Sequence, residues 1–238
     1  MSLKIESIIA NGSEIFRSWV NKYGENKYQD LIFYAESIGI TDFGAEILSE
    51  LAKYEYNLEL VVFEIIGHIE NYLRACICRN YRLDNINNKE MLINILIDNE
   101  LSVIARNKKK SIKNCYDYIN YCKFSYLQSI FLKAFSNHSF CLQKHNFLAI
   151  NELRNAVCHH RVLLHTYLCN CKNNFKSGSD LTSNIMNVIN FLPDQRLQQK
   201  YVEEINNLSF KYDKKLSTEE LTIKLNYNDL SFYLKDAI

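Results

Sequence analysis

The run Asn151-Glu-Leu-Arg-Asn-Ala-Val-Cys-His-His-Arg-Val-Leu-Leu-His165 holds the densest set of side chains able to do chemistry. Within it Arg154 and Asn155 are followed after three residues by His159, the spacing R-N-x-x-x-H. An imidazole titrating near pH ~6.5 can take a proton from a ribose 2′-hydroxyl or give one to a leaving 5′-oxygen. A guanidinium offers a fixed fork of donors to phosphate oxygens as negative charge builds on them. These groups suit RNA, whose 2′-hydroxyl is an internal nucleophile beside the phosphorus. No metal or other cofactor is then required, the product is a 2′,3′-cyclic phosphate, and DNA is spared.

On a helix Asn155 and His159 share a face, so the amide can hold the imidazole in one tautomer. Arg154 lies about 140° around the axis from His159, and the helix presents the two around its flank. Two copies meeting across a two-fold axis would set both pairs around one cleft. Arg154, Arg161 and His165 fall on a second stripe, since offsets of seven and eleven return to nearly the same azimuth, which gives Arg161 a secondary RNA-binding role. His160 points elsewhere, as a surface, packing or supporting residue.

A helix from about Phe147 to Asn170 must position this set. Upstream, Leu58, Val61, Val62, Ile65, Ile66, Ile69, Leu73 and Ile77 recur at spacings of three and four, which predicts a helix over 56–81. Glu70 and Arg74 lie on it four apart with the acid first, the favourable order for a helical ion pair. Alternatively, Glu70 pairs with Arg154 or orients the catalytic helix. Helical spacing also runs through an N-terminal amphipathic stretch closed by Asn21, Gly24 and Asn26, and through Tyr28–Ala35. A helix over 43–53 starts from an Asp42 cap, and further helices follow over 90–104, an aromatic-rich 112–136, 181–191 and 194–208. Ser217-Thr-Glu-Glu220 reads as a capping box opening a last short helix. The expected organisation is an N-terminal helical segment over 1–42, a helical core over 43–172 and a C-terminal helical appendage over 181–238, with a linker at 173–180.

The stretch Leu153-Arg-Asn-Ala-Val-Cys-His-His-Arg161 resembles the "LRN…HH.R" helix of the Abi-like (abortive infection) family in the HEPN superfamily. The family's upstream "iE..lRa.i" helix is matched by Ile69-Glu70-Asn71-Tyr72-Leu73-Arg74-Ala75-Cys76-Ile77. Two motifs in the right order, about 80 residues apart in a helical chain, are far more specific than R-x(4)-H alone. The resemblance covers residues 43–170. It implies an all-α HEPN-type bundle, a homodimer, metal-independent RNA cleavage and a part in anti-phage defence. A dyad of this kind must be restrained in a healthy cell, so the expectation includes a gate: a regulatory RNA, an antitoxin-like protein, or closure of the dimer cleft.

Composition bounds the alternatives. Twenty-eight basic against 27 acidic residues give a net charge of +1, so a nucleic-acid surface must be a local patch. The tract Arg106-Asn107-Lys108-Lys109-Lys110, with Lys113, is the candidate patch for the backbone of a substrate or regulatory RNA, or is a solvated face. One proline and six glycines are too few for a turn-rich β fold or a glycine-cradled phosphate site. A hydrophobic share of 47% excludes a disordered chain. No run approaches the apolar length of a membrane span. The first residues carry no secretory pattern, and a cytoplasmic protein with reduced thiols is expected. Cys158, His165 and Cys169 return to one helical face near Cys171, yet Cys76-x-Cys78 and Cys169-x-Cys171 lack zinc-knuckle spacing, and the thiols read as small core residues. The competing reading is a catalytically silent RNA-binding or dimerisation module that senses infection through its basic patch.

Overall fold

The computed structural model describes residues 3–40, 44–80, 119–120, 122–135, 144–170, 180–214 and 217–231. Among them are nine α-helices and one β-hairpin. The expected all-α character is therefore seen, with the hairpin as its one exception. The helices at 90–104, the basic residues Arg106, Lys108, Lys109, Lys110 and Lys113, Tyr116, Tyr118 and Tyr121, and the 173–179 part of the linker lie outside the described residues.

Three helices open the chain: α1 (Leu3–Asn11), α2 (Glu14–Tyr23) and α3 (Glu25–Ser37). Ser13 caps α2 by accepting the Phe16 N–H at 3.1 Å. Gly24 then ends α2 and begins α3, at φ 86°, a left-handed value that a residue with a Cβ rarely adopts. Tyr28, Leu31, Ile32 and Ala35 turn inward, as their spacing predicts.

The central element is α4 (Ala45–Asn80), 36 residues long and so about 54 Å from end to end. The two helices read over 43–53 and 56–81 are one. Lys53-Tyr54-Glu55-Tyr56 contains no glycine, proline or capping side chain, and the buried stripe continues through it as Leu51, Tyr54, Glu55, Leu58, Val62 and Ile65. The proposed Asp42 cap lies outside the described residues.

Helices α5 (Phe124–Ala134), α6 (Lys144–Cys158) and α7 (Leu163–Asn170) follow, then α8 (Leu181–Ile189) and α9 (Gln195–Asn207). The aromatic side chains described in the 112–136 region are core: Phe124, Phe131 and Phe135 are buried. Phe131 lies 4.7 Å from Phe135 and 6.1 Å from Phe147, centroid to centroid. Phe147 in turn meets Phe191 edge-on at 4.9 Å. Asp180 and Asp194 cap α8 and α9 by accepting the Ser183 and Arg196 N–H groups, each at 2.7 Å. Helix α6 packs on α8 and α4, and α5 packs on α4. Buried side chains from Ile5 to Leu225 form one cluster, into which Ile185, Val188, Ile189 and Phe191 are fully taken up.

The last short helix expected from Ser217 is instead a strand. β1 (Phe210–Lys214) pairs antiparallel with β2 (Ser217–Leu221), with Phe210 opposite Leu221 and Lys214 opposite Ser217. Leu221 ends β2, and Ile223 and Leu225 just beyond it alternate with polar residues and are buried, the period-two pattern of an extended chain. A helix from Ser217 would place Leu221 and Leu225 on one face and Ile223 on the opposite one, whereas an extended chain turns all three the same way. Asn206 fastens the tail by accepting the Leu225 N–H at 2.7 Å and donating to the Leu225 carbonyl at 3.0 Å.

Candidate functional site

The helix that carries Arg154 ends inside the motif. Helix α6 stops at Cys158, and α7 begins at Leu163. The single helix read over 147–170 is therefore two, broken where the sequence has neither glycine nor proline. His160 takes the left-handed conformation at φ 50°, a position where histidine is tolerated better than bulky or branched residues. The Arg161 N–H bonds back to the Ala156 carbonyl at 2.9 Å and the His160 N–H to the Val157 carbonyl at 3.1 Å. This is the paired closure by which a helix satisfies its last carbonyls around a left-handed residue.

The break creates an arch. Val157 and Val162 are buried at its two feet, while Cys158, His159, His160 and Arg161 between them are exposed. With the helix interrupted, the stripe read through Arg154, Arg161 and His165 does not form. His165 instead sits on α7 with Nδ1 3.3 Å from the Asp30 carboxylate and its ring stacked on Phe33, centroids 5.9 Å apart. The same break removes the shared helical face on which Cys158 and His165 were to meet. Among the described residues no three His, Cys, Asp or Glu side chains come together as a metal site would need. Cys76, Cys78 and Cys122 are buried and Cys158 is exposed.

Arg154 lies one turn before the arch on α6 and is partly buried. Its guanidinium carbon stands 5.9 Å from the centroid of the Phe124 ring at the start of α5, within range of a cation–π contact. Its Nε is buried and has no hydrogen-bond partner among the described residues. Asn155 and His159 are exposed, and the His159 N–H completes the helix by bonding to the Asn155 carbonyl at 3.1 Å. One α6 terminus thus presents the guanidinium from a half-buried seat and the imidazole from the exposed arch.

Glu70 pairs with Arg74 along α4. Arg74 also donates to the Ile119 carbonyl and, at 3.5 Å, to the Cys122 carbonyl. These backbone groups immediately precede α5. The Glu70–Arg74 pair therefore acts on the segment that delivers Phe124 to Arg154, and Glu70 reaches the site through Arg74 and Phe124.

Two contributors were missed in the sequence. Phe124 lies 30 residues from Arg154, and nothing in the local pattern marks it. Glu55 did leave a signal, since it and Glu59 are acids on the buried stripe of α4. Glu55 is fully buried and accepts the Leu163 and Leu164 N–H groups at the start of α7, the latter at 3.4 Å. Glu59, one turn further on, is held by Lys27 of α3 with Nζ to Oε1 and Oε2 at 2.8 and 3.0 Å. Burial and the neighbouring Glu59 push the Glu55 carboxyl up to about 8, against the pull of the two N–H groups and Lys27.

No described helix is long and apolar enough to cross a membrane. Compared with family models, curated proteins and solved structures, the chain matches none.

Proposed function

We propose that this chain is an endoribonuclease that cleaves RNA by attack of the 2′-hydroxyl and leaves a cyclic phosphate. The observation that carries the reading is the state of Arg154: a guanidinium held against Phe124 with a buried, unpartnered Nε, one turn from an exposed imidazole. An unmet buried donor costs about 1–3 kcal/mol, and a ligand acceptor is one way that cost is met. A phosphate oxygen is the acceptor that suits a guanidinium best.

In this mechanism Arg154 binds a non-bridging phosphate oxygen and stabilises the charge of the phosphorane. His159 moves the proton, taking it from the 2′-hydroxyl or giving it to the leaving 5′-oxygen. Asn155, on the same exposed face of α6, orients the imidazole or binds phosphate. One imidazole handles one proton at a time, so a homodimer with two arches around a shared cleft supplies both acid and base. Arg161 on the arch, with Arg106, Lys108, Lys109 and Lys110, contributes positive charge for the RNA backbone. The resemblance of the two motifs to the Abi-like HEPN proteins supports the same chemistry and extends it to anti-phage defence, under restraint by a regulatory RNA or protein.

The test uses purified chain and labelled RNA. Cleavage by the wild type should fall by about 10²–10⁴-fold in Arg154→Ala and in His159→Ala. RNA binding without cleavage in the wild type, under every condition tried, replaces this reading with the silent module.

A further inference from the structure

We propose that Glu55 is a positioning residue for the arch: its buried carboxyl fixes the start of α7 and thereby the placement of His159 and Arg161. This inference rests on the ribonuclease reading for its functional part, while its structural part stands alone.

The geometry is specific. An arch of four exposed residues keeps its shape only if both feet are held. The first foot is the C-terminal end of α6, closed by backbone bonds to Ala156 and Val157. The second foot is the first turn of α7, whose leading N–H groups have no partner within their own helix. Those of Leu163 and Leu164 are met by Glu55, a side chain 108 and 109 residues away in sequence. Leu163 is fully buried and Leu164 nearly so, so no water can replace the carboxyl.

Glu55 has nowhere else to go. It is fully buried on α4, one turn from Glu59, which Lys27 of α3 already holds with both oxygens. The second foot is thereby tied to the central helix, and through Glu59 and Lys27 that helix is tied to α3. His160 adds the reason a tie is needed. Its left-handed backbone is a conformation that L-residues other than glycine seldom hold unless their surroundings fix it. A loosened α7 would let the turn relax and carry His159 and Arg161 with it. Displacements of about 1 Å at a catalytic group lower rates by about 10²-fold.

The experiment compares wild type, Glu55→Leu and Glu55→Gln by amide hydrogen exchange and by single-turnover cleavage of labelled RNA. Leucine keeps the bulk and removes both acceptors. Glutamine keeps one acceptor oxygen and resembles the protonated carboxyl present below pH about 8. In Glu55→Leu, exchange over 159–166 should rise at least about tenfold while α1 and α9 keep their protection, and the single-turnover cleavage rate at saturating RNA should fall by about 10²-fold. Glutamine should recover most of both losses. Unchanged exchange over 159–166, equal acceleration in every helix, or a glutamine variant as impaired as the leucine one overturns the proposal.

Should the leucine variant not fold, the wild type still decides. Its Leu163 and Leu164 amides, held by a buried carboxyl, should be protected from exchange as strongly as the middle of α4, and exchange there as fast as in the exposed arch rejects the assignment. A wild type that cuts no RNA ends the ribonuclease reading, and the exchange pattern alone then settles whether Glu55 holds the arch.

Discussion

A carboxyl buried in an apolar stripe binds its proton more tightly in the fold than in the open chain, and Glu55 makes that visible. Its folded value of about 8 lies above the ordinary 4.5, so between those limits the native state holds more protons than the unfolded one. Its contribution to stability is whole below pH about 4.5 and is lost as pH rises through about 8. The urea midpoint of the wild type should therefore fall from pH 5 to pH 8 by more than that of Glu55→Gln, which cannot titrate; parallel curves would show that Glu55 does not carry the difference. His160 supplies a second test at this scale. Valine at its left-handed backbone should destabilise the chain by about 1 kcal/mol or more, because a branched Cβ crowds that conformation, whereas glycine there should be neutral or slightly stabilising. Chemical denaturation of the two variants measures both.

Among the elements, the segment before α5 depends on one side chain. Arg74 satisfies the Ile119 and Cys122 carbonyls while paired with Glu70. Removing it leaves those acceptors and the acid without their donor, so Arg74→Ala should cost about 2–3 kcal/mol and disturb the Phe124 face that seats Arg154. Glu70→Gln, which breaks only a partly exposed ion pair, should cost less than about 1 kcal/mol. Thermal denaturation of the two variants separates these roles, and equal losses would contradict them. The sequence made the buried stripe of α4 legible from Leu58 to Ile77, where spacings of three and four persist, but read the first part of the same helix separately over 43–53. It also placed Arg154 and His159 near one helix end. It did not reveal the break at 159–162, since the left-handed residue there is a histidine and the carboxyl that meets the second helix comes from Glu55, 108 residues away. Nor did it reveal the hairpin, whose two-residue alternation is short and was overshadowed by the serine–glutamate spacing at 217–220. Long-range partners and backbone signs leave little trace in local periodicity, which hid the break, whereas the hairpin was lost to a competing local signal.

For the whole molecule, the account needs two arches facing one cleft. Light scattering at micromolar concentration should report twice the chain mass, and mixing Arg154→Ala with His159→Ala protomers should restore part of the cleavage if each cut draws its residues from both chains. A monomer with full activity would contradict the shared cleft. The charge balance is consistent with a site read by local groups, since a net +1 gives no global attraction to RNA. The end left on the product distinguishes attack by the 2′-hydroxyl from attack by water, and chelation distinguishes metal-free from metal-assisted cleavage. Mass analysis of fragments formed from RNA in excess EDTA is therefore the most direct measurement. The account predicts 2′,3′-cyclic phosphate on the upstream fragment and a free 5′-hydroxyl on the downstream one, lost together in Arg154→Ala and His159→Ala; fragments ending in 3′-hydroxyl and 5′-phosphate, or cleavage that chelation abolishes, would contradict it.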